Sequence, residues 1–408
     1  MNLYIFDETR RGAVFGVGTY IQELNIALKN SDINICVVHL ISTKPQIQIE
    51  EIDGIKHWYF PAPIQEQRTL DNQKQRELYF RNVVYLLQLH IKDKKELVFH
   101  LNYHQSGSLV DALKQAFDCK IVSVIHFSDW GFAVFDNLRR LRRILGEEHP
   151  DSFGETVKKA FEEEKSYYAK PDHIICLSNY MREILCQDYK LDNTKISIIS
   201  NGLSDITSTS ASNKLLRQKW RIQAEEKIIL FAGRVDEVKG LRYLIKAFRM
   251  VLKVDQNCRL MIAGSGNYDL FFQEINDICT KVTFTGLLQK KELYEIYQIA
   301  NVGVTPSLFE PFGYVPVEMM MHELPIVATA TSGLNEVVDE SCGLKIPLII
   351  SPDNVEIDVS LLAQKIVYLL QNSAEAKELG KNGRKRYLEK YSSRVFGENM
   401  LAFYKSIM

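Results

Sequence analysis

Two glutamates, eight positions apart, bracket a stretch that cannot form one regular helix. The stretch FEPFGYVPVE carries Glu310 and Glu318 around Pro311, Gly313 and Pro316. Pro311 and Gly313 interrupt regular structure, whereas Pro316 suits the first position of a helix. We therefore predict that a helix begins at Pro316 and that Glu318 lies in its first turn.

The loop that enters this helix, formed by Phe312, Gly313 and Tyr314, suits a phosphate group. The first N–H groups of a helix lack intrahelical partners and carry the positive end of the helix dipole. A carboxylate in the first turn can accept hydrogen bonds from two sugar hydroxyls. An alternative stays open, in which Glu318 only complements the dipole.

Two cations flank another strand-to-helix turn, FAGRVDEVKG. Arg234 lies in the turn and Lys239 lies where the next helix starts. This pair suits a diphosphate, because arginine binds as a planar fork and lysine as a point charge. Gly264 lies in a tight turn, AGSGN, at a further strand end. Solvated surface charges and a plain turn are the alternatives for these residues.

In the first half of the chain, glycines and a histidine lie where strands end. Gly16 and Gly18 open a helix after a long loop, which would let a ligand approach the backbone closely. They do not form G-x-G-x-x-G, so a dinucleotide fingerprint is unsupported. His126 ends the strand VSVIH, where ligands bind in open α/β sheets. A hydrogen-bonded core histidine is the alternative.

No set of residues has the spacing of a metal site. His100 and His104 flank Asn102, but no third ligand follows at a suitable spacing, so we interpret these residues as the polar end of a strand. The sequence also lacks D-x-D, a common carboxylate device for holding a metal–diphosphate. We therefore expect no bound metal.

Buried strand patterns alternate with helical patterns along most of the chain. The first series runs from LYIF at residues 3–6 to KISIIS at residues 195–200. A Ser/Thr-rich break at residues 204–213 follows, and the pattern restarts with KIILFAG. Residues 361–408 show consecutive helical patterns. This alternation predicts an α/β fold with two doubly wound units and parallel sheets covered on both faces.

The composition is that of an ordinary globular protein. The 408 residues are 46% hydrophobic and 25% charged, with a formal net charge of −1, so nothing draws the whole chain to nucleic acid. The seven cysteines form no C-x-x-C, which fits reduced thiols in the cytoplasm. The N-terminal apolar run is too short for a signal peptide, and no run is long enough to span a bilayer.

One stretch, LRRLRRIL from Leu138 to Leu145, is basic and amphipathic. Such a stretch can touch an acceptor or the anionic inner face of a membrane. The alternative is an ordinary cationic helix face balanced by Glu147 and Glu148.

Taken together, these motifs resemble the retaining glycosyltransferases of the GT-B fold, in particular family four. The resemblance covers nearly the full chain. It rests on the E-x7-E of Glu310 and Glu318, the strand–GR–KG element of Arg234 and Lys239, and three weaker matches in the first half. Those three are the early glycines, His126, and the pair Asn201 and Gly202. The sequence departs from the family pattern at Tyr314 and Pro316, where aliphatic residues are common, and at Ser332, where a glycine pair is more usual.

The resemblance implies a role for each matched residue. Arg234 and Lys239 would neutralise the departing diphosphate, Glu310 would face the transferred sugar, and His126 would lie near its C6 side. The ribose hydroxyls of the donor would bind Glu318. Further donor contacts are expected at Phe312, Gly313, Tyr314, Gly16, Gly18, Gly264 and Leu287.

The resemblance also implies the organisation of the chain. We expect an acceptor-binding Rossmann-like domain at residues 1–204 and a nucleotide-sugar-binding domain at residues 205–392, facing a cleft. Residues 393–408 would form a C-terminal helix that packs back on the first domain.

The implied activity is a metal-independent hexosyltransferase that uses a nucleotide-diphosphate sugar, by expectation a UDP-sugar, and no bound cofactor. Transfer would retain the anomeric configuration and would serve glycan or lipid-linked oligosaccharide assembly. Two alternatives stay open. The acceptor could be a peptide or protein, or the chain could be a non-catalytic scaffold subunit that keeps the fold.

Overall fold

The computed structural model describes residues 1–8, 16–62, 73–103, 107–207 and 212–408. The chain divides into two compact units. The first unit contains Met1–Asp129, Pro150–Ser204 and Ser393–Met408, and the second contains Trp130–His149 and Asp205–Ser392. Parts of the predicted glycine-containing loop and of the Ser/Thr-rich break lie outside the described residues.

The first unit is built on an eight-stranded sheet in the order β3-β4-β2-β1-β5-β6-β7-β8. All neighbouring strands are parallel except β3 and β4. The central strands β1 and β5 are buried along their whole length, as expected for strands covered on both faces. The strands are β1 (Asn2–Glu8), β2 (Asn34–Ser42), β3 (Gln48–Ile52), β4 (Ile55–Pro61), β5 (Leu97–Leu101), β6 (Cys119–Ile125), β7 (His173–Cys176) and β8 (Ile196–Ile198).

Helices connect these strands in the alternation that the sequence predicts. Amphipathic character is clear in α3, where Leu109, Val110 and Leu113 are buried together. The helices before residue 204 are α1 (Val17–Leu28), α2 (Gln73–His90), α3 (Gly107–Ala116), α4 (Asp129–Val134), α5 (Leu138–Gly146), α6 (Ser152–Tyr168) and α7 (Asn179–Gln187), with a 3-10 turn at Asn193–Lys195.

The second unit contains a six-stranded, all-parallel sheet in the order β11-β10-β9-β12-β13-β14. Leu230 of the central strand β9 pairs with Met261 on one side and Gly303 on the other. The strands are β9 (Lys227–Ala232), β10 (Cys258–Ala263), β11 (Val282–Gly286), β12 (Val302–Thr305), β13 (Ile326–Thr329) and β14 (Gly343–Ile346). An antiparallel hairpin follows, formed by β15 (Leu348–Ile350) and β16 (Val355–Ile357).

Helices of the second unit cover its sheet and enclose one apolar core. Phe231, Leu244, Phe248, Ile262 and Ile366 are among the buried residues of that core. The helices are α8 (Asn213–Lys219), α9 (Leu241–Val254), α10 (Asp269–Phe272), α11 (Lys290–Ile299), α12 (Tyr314–Met321), α13 (Leu334–Val337), α14 (Val359–Gln371) and α15 (Ser373–Arg386). Three 3-10 turns (Glu237–Lys239, Gln273–Ile275, Cys279–Lys281) and a π-helical turn (Tyr387–Tyr391) complete the unit.

Trp130–His149 groups with the second unit, which differs from the expected continuous domain at residues 1–204. The reason is a set of contacts made by this segment. Asn137 caps α5 and donates through Nδ2 to the carbonyl of Ser351 at 2.9 Å. Arg140 donates to the carbonyl of Asp353 at 2.9 Å, and Arg143 forms an ion pair with the Asp353 carboxylate. Two arginines of the basic stretch therefore hold the β15–β16 hairpin.

The last helix, α16 (Ser393–Ile407), belongs to the first unit. It packs on α1, where Gly397 lies so close to Ala27 that a Cβ at Gly397 would be 3.0 Å from the Ala27 Cβ. The C-terminal helix thus groups with the unit that contains the N-terminal sheet. Within the described ranges, no helix combines the length and the apolar character needed to cross a bilayer.

Candidate functional site

The sheet order of the second unit marks the place where a ligand is expected. Strands β9 and β12 are neighbours, and the chain runs outward from them in opposite directions, toward β11 and toward β14. In open α/β sheets, ligands bind at the carboxyl ends of the strands at such a switch point. Arg234 and Lys239 follow β9, and Glu310 to Tyr314 follow β12, so most of the predicted donor residues share one end of one sheet.

Lys239 and Glu310 form an ion pair at this end. The Lys239 Nζ lies 2.5 Å from Glu310 Oε2, and each side chain is 18% exposed. Ser307 Oγ also donates to Glu310 Oε2 at 3.3 Å. The sequence singled out both residues for separate roles but did not predict their contact. Because an ammonium group has three N–H donors, Lys239 can hold a phosphate oxygen while it keeps this carboxylate.

Arg234 lies in the turn after β9 beside both a carboxylate and an aromatic ring. Its Nη2 is 3.2 Å from Asp236 Oδ2, and its guanidinium carbon is 5.9 Å from the centre of the Phe132 ring. Phe132 in turn packs edge-on against Phe309, with ring centres 5.0 Å apart. Sequence reasoning missed Phe132, because it comes from α4, far away along the chain.

At two glycines, the backbone comes very close to the backbone of a neighbouring segment. Gly240 has φ 67°, and a Cβ there would lie 1.8 Å from the Pro306 carbonyl oxygen. Gly264 has φ 151°, and a Cβ there would lie 1.8 Å from the Gly233 carbonyl oxygen. Gly264 therefore has a structural reason to be glycine. Its contact with a donor stays a prediction.

The helix after β12 begins two residues earlier than predicted. Gly313 has φ 98° and caps α12, which starts at Tyr314. Pro316 is consequently the third helical residue, where its missing N–H still costs no intrahelical bond. Glu318 lies in the second turn, so the prediction of a first-turn position was wrong.

Phe312 and Tyr314, two residues of the predicted loop, differ in how far their side chains are exposed to a ligand. The Phe312 ring is only 4% exposed and packs edge-on against the rings of Tyr314 and Tyr391. A ligand would therefore meet Phe312 through its backbone. Tyr314 is half-buried, and its N–H is the first of α12.

Glu318 is buried and held by a tyrosine. Its side chain is 8% exposed, and Oε2 accepts a hydrogen bond from the Tyr297 hydroxyl at 2.9 Å. Burial raises the pKa of Glu318 to about 7, against the opposing effect of the Tyr297 hydrogen bond. The Glu318 carbonyl accepts from His322 Nδ1 at 2.8 Å. Sequence reasoning missed Tyr297, although Tyr294 and Tyr297 lie one turn apart on the buried face of α11.

Leu287 lies at the same end of the sheet, after its edge strand β11. It follows Gly286 at the end of β11, and its side chain is 78% exposed. Gly286 has φ 74°, with open space where a Cβ would point. An exposed apolar side chain at a strand end can cover the face of a planar ring.

In the first unit, the described part of the predicted glycine loop starts at Gly16. Gly16 has φ 73° and caps α1, and Gly18 lies exposed in the first turn of that helix. A helix start of this kind presents unpaired N–H groups. Residues 9–15 lie outside the described residues.

His126 follows β6 and is fixed in one tautomer. Asn102 donates through Nδ2 to the Phe6 carbonyl at 2.9 Å, so its Oδ1 is the atom that accepts from His126 Nε2 at 3.0 Å. The Nε2 atom therefore carries the proton and Nδ1 carries the lone pair. Burial, with a smaller effect of His100, lowers the pKa of His126 to about 3, so the ring is neutral at physiological pH.

His100 is a core residue between two tyrosines, not the polar end of a strand. The Tyr20 hydroxyl lies 3.2 Å from its Nε2 and the Tyr404 hydroxyl 2.8 Å from its Nδ1. Its neighbour in the sequence motif, His104, lies outside the described residues. Across the residues that the structure describes, no group of three or more His, Cys, Asp or Glu side chains is arranged to hold a metal ion.

Two family models match the two halves of the chain. The family model "Glycosyltransferase Family 4" matches residues 14–205, and the model "Glycosyl transferases group 1" matches residues 212–386. An uncharacterized glycosyltransferase of Methanocaldococcus jannaschii is 28% identical over 305 residues, covering 70% of this chain and 75% of that protein.

Two solved structures share the fold along the whole chain. Sucrose-phosphate synthase from Thermosynechococcus elongatus has a TM-score of 0.77 at 22% identity, covering 100% of this chain and 99% of the other. Anabaena HepE, solved in complex with UDP-glucose, has a TM-score of 0.71 at 16% identity and covers 100% of both chains. With both halves matched by family models and the GT-B fold shared, the chain belongs to the group 1, family 4 glycosyltransferases.

Proposed function

We propose that the protein is a retaining glycosyltransferase that moves a hexose from a nucleotide-diphosphate sugar to an acceptor hydroxyl. The observation that carries the proposal is the Lys239–Glu310 ion pair at the switch point of the second unit, with Arg234 in the turn that follows the same strand β9 as Lys239. Two cations at the carboxyl ends of parallel strands suit a diphosphate, and a carboxylate next to them suits a sugar.

The donor would use the remaining residues of the same sheet end. The N–H groups at the start of α12, near Gly313 and Tyr314, would meet a phosphate. Glu318 would accept from the ribose hydroxyls, and Leu287 would cover the base. We propose a UDP-sugar, because the Anabaena neighbour was solved with UDP-glucose.

The chemistry needs no protein base. The bond between the anomeric carbon and the phosphate oxygen would break while the acceptor oxygen bonds to that carbon from the same face. The departing phosphate would take the acceptor proton. Arg234 and Lys239 would stabilise the charge that develops on the diphosphate, which is the term expected to contribute most. Accordingly, we propose that transfer proceeds without a metal ion.

The acceptor is proposed from family usage as a glycan or a lipid-linked oligosaccharide. A peptide acceptor is the alternative. The scaffold alternative is less favoured, because Arg234, Lys239, Glu310 and Glu318 are all present and three of them lie at one sheet end. Arg139 and Arg142, which are exposed on α5, would supply any contact with an anionic membrane, a contact that stays a prediction.

Binding and turnover test the proposal together. UDP, GDP and ADP would first be compared by thermal shift. A ligand at about 100 times its dissociation constant stabilises a protein by roughly 2.7 kcal/mol. We expect UDP to raise the melting temperature, and turnover of UDP-hexoses with EDTA present to give a product whose anomeric NMR coupling matches that of the donor. An inverted product, or activity only with added metal, would contradict the corresponding part of the proposal.

Substitution of Arg234 and Lys239 tests whether these cations stabilise the charge that develops on the departing diphosphate. Each of Arg234→Met and Lys239→Met should lower kcat by roughly 10²- to 10³-fold, the usual effect of removing one group that stabilises developing charge. Lys246→Met is the matched control, because Lys246 is an exposed cation on α9 of the same unit. Wild-type turnover in both site variants would exclude this role for the cations.

A further inference from the structure

One serine holds the backbone of Glu310 from both sides. The Ser332 Oγ accepts from the Glu310 N–H at 3.1 Å and donates to the Glu310 carbonyl, also at 3.1 Å. Leu334 N–H donates to the same carbonyl at 3.1 Å. A single hydroxyl therefore satisfies both backbone groups of the residue that carries the candidate sugar-facing carboxylate.

The backbone of Ser332 is strained. Its φ is 38°, in the left-handed region that non-glycine residues seldom adopt. The next residue, Gly333, is pressed against the chain, since a Cβ there would lie 1.8 Å from the Pro311 carbonyl oxygen. Because glycine would adopt the φ of Ser332 at little steric cost, a serine here needs a compensating interaction. Its two bonds to Glu310 supply one.

Two more hydroxyls of the same segment anchor the same loop. Thr329 Oγ1 donates to the Ser307 carbonyl at 2.5 Å, and Thr331 Oγ1 donates to the Leu308 carbonyl at 2.9 Å. With Ser332 they form a hydroxyl ladder, defined here as Thr329, Thr331 and Ser332. The loop between β12 and α12 is thus held at Ser307, Leu308 and Glu310 by the last side chain of β13 and by two side chains that follow it.

This anchoring reaches the Glu310 carboxylate. The carboxylate contacts Lys239 Nζ at 2.5 Å and Ser307 Oγ at 3.3 Å, and the carbonyl of Ser307 is held by Thr329. With its backbone fixed, Glu310 keeps its carboxylate on the lysine at little entropic cost. We propose that Ser332 is a positioning residue that sets the place of Glu310, an inference that rests on the proposed transferase function.

Two substitutions separate the hydroxyl from the backbone strain. Ser332→Ala removes the hydroxyl and keeps the strained φ, whereas Ser332→Gly removes both. We expect kcat to fall about 10- to 100-fold in both variants, as is usual when a reacting geometry shifts by about 1 Å. The KM for the donor should stay within about twofold, because Arg234, Lys239 and Glu318 are retained.

A serine elsewhere in the second unit provides the matched control. Ser392 is 9% exposed, like Ser332, and its Oγ donates to the Leu388 carbonyl at 3.1 Å. Ser392→Ala should leave kcat unchanged. If kcat is unchanged in both Ser332 variants as well, water or the Leu334 N–H suffices to hold Glu310, and the inference is overturned.

A second measurement needs no sugar donor. Thermal unfolding of Ser332→Gly, Lys239→Met and the double variant forms a double-mutant cycle. If Ser332 places Glu310 on Lys239, the effects are non-additive, because removing the lysine removes what the serine positions. Additive shifts overturn the inference. If the wild type turns over no nucleotide sugar, the proposed function fails, and the cycle still decides the role of Ser332.

Discussion

Burial sets the protonation state of Glu318. The carboxylate lies 8% exposed against Tyr297, and its pKa is raised to about 7 from a usual value of 4.5, with burial as the main cause. A carboxyl that stays protonated almost to neutral pH can donate as well as accept a hydrogen bond. Donor binding and folding stability should therefore both respond to pH in the range where Glu318 titrates.

Titration of Glu318 should lower the stability of the folded protein as the pH rises toward neutral. Between about pH 4.5 and 7 the folded protein holds a proton on Glu318 that the unfolded chain has released, so this residue makes stability fall as the pH rises. Glu318→Gln removes that titration and can still accept from Tyr297. We expect the variant to gain stability over the wild type from pH 4.5 to 7, with a constant difference above pH 7, measured by urea unfolding. A constant difference across this whole range would contradict the raised pKa.

Tyr297→Phe is the companion variant in the same experiment. It removes the 2.9 Å hydrogen bond that lowers the pKa of Glu318. The pH range over which Glu318 titrates should therefore move upward. The stability difference between Tyr297→Phe and the double variant Tyr297→Phe/Glu318→Gln, measured against pH, should show this shift. An unmoved window would mean that the tyrosine hydroxyl does not act on the carboxylate.

At the scale of residues, the sequence indicated which side chains lie at strand or helix ends, but it did not predict which of them contact each other. Arg234, Lys239, Glu310 and Gly313 were each placed at strand or helix ends from local signals. The Lys239–Glu310 pair was not, because it depends on how closely the ends of β9 and β12 approach. The contacts of Ser332 with Glu310 were not predicted for the same reason, although the sequence has a serine where a glycine is more usual in the family.

At the scale of elements, the approach of two loops to each other depends on one glycine. Gly240 ends the 3-10 turn after Lys239 and begins α9 with φ 67°. The Leu308 N–H donates to the Val238 carbonyl at 2.8 Å, which ties the loop after β12 to this turn. Any side chain at Gly240 would push the two loops apart, and with them Lys239 and Glu310.

Gly240→Ala should therefore lose both stability and activity. A Cβ would lie 1.8 Å from the Pro306 carbonyl oxygen, so backbone must move, and a cost of more than about 2 kcal/mol is expected from the clash and the φ together. Gly286→Ala is the matched control, with φ 74° and open space, and should cost only about 1 kcal/mol. Equal losses in denaturant unfolding would show that φ alone, rather than the crossing of the loops, requires glycine at Gly240.

Local patterns predicted most elements and failed where the element's partner was distant. The sequence shows a helical pattern over residues 73–90 and another from Leu241 to Leu252, and the structure has α2 and α9 at these places. Nothing local showed that α5 packs in the second unit, because Arg140 and Arg143 on its basic face bind a hairpin more than 200 residues later in the chain. The start of α12 was missed because Pro316, tolerated throughout a first turn, was interpreted as its first residue.

At the scale of the whole molecule, the chain builds each unit from segments that are distant in sequence. The first unit is completed by α16, whose Tyr404 hydroxyl bonds His100 of β5 at 2.8 Å, and His100 bonds Tyr20 of α1 at 3.2 Å. All three side chains are at most 1% exposed. Burial lowers the pKa of His100 to about 3, although a hydrogen bond with Asn102 has a weaker, opposite effect. The ring is therefore neutral, with one nitrogen that donates to a tyrosine hydroxyl and one that accepts from the other.

Tyr404→Phe should loosen the first unit without affecting the second. The change leaves one buried ring nitrogen of His100 without its partner, which typically costs about 1–3 kcal/mol. Amide hydrogen exchange should therefore speed up in β1, β5 and α16, while β9 and β12 of the second unit keep their protection. Tyr85→Phe is the control, because Tyr85 lies 60% exposed on α2 of the first unit and its hydroxyl should not matter. If exchange rises equally in both units, the C-terminal helix stabilises the chain as a whole rather than the unit it completes.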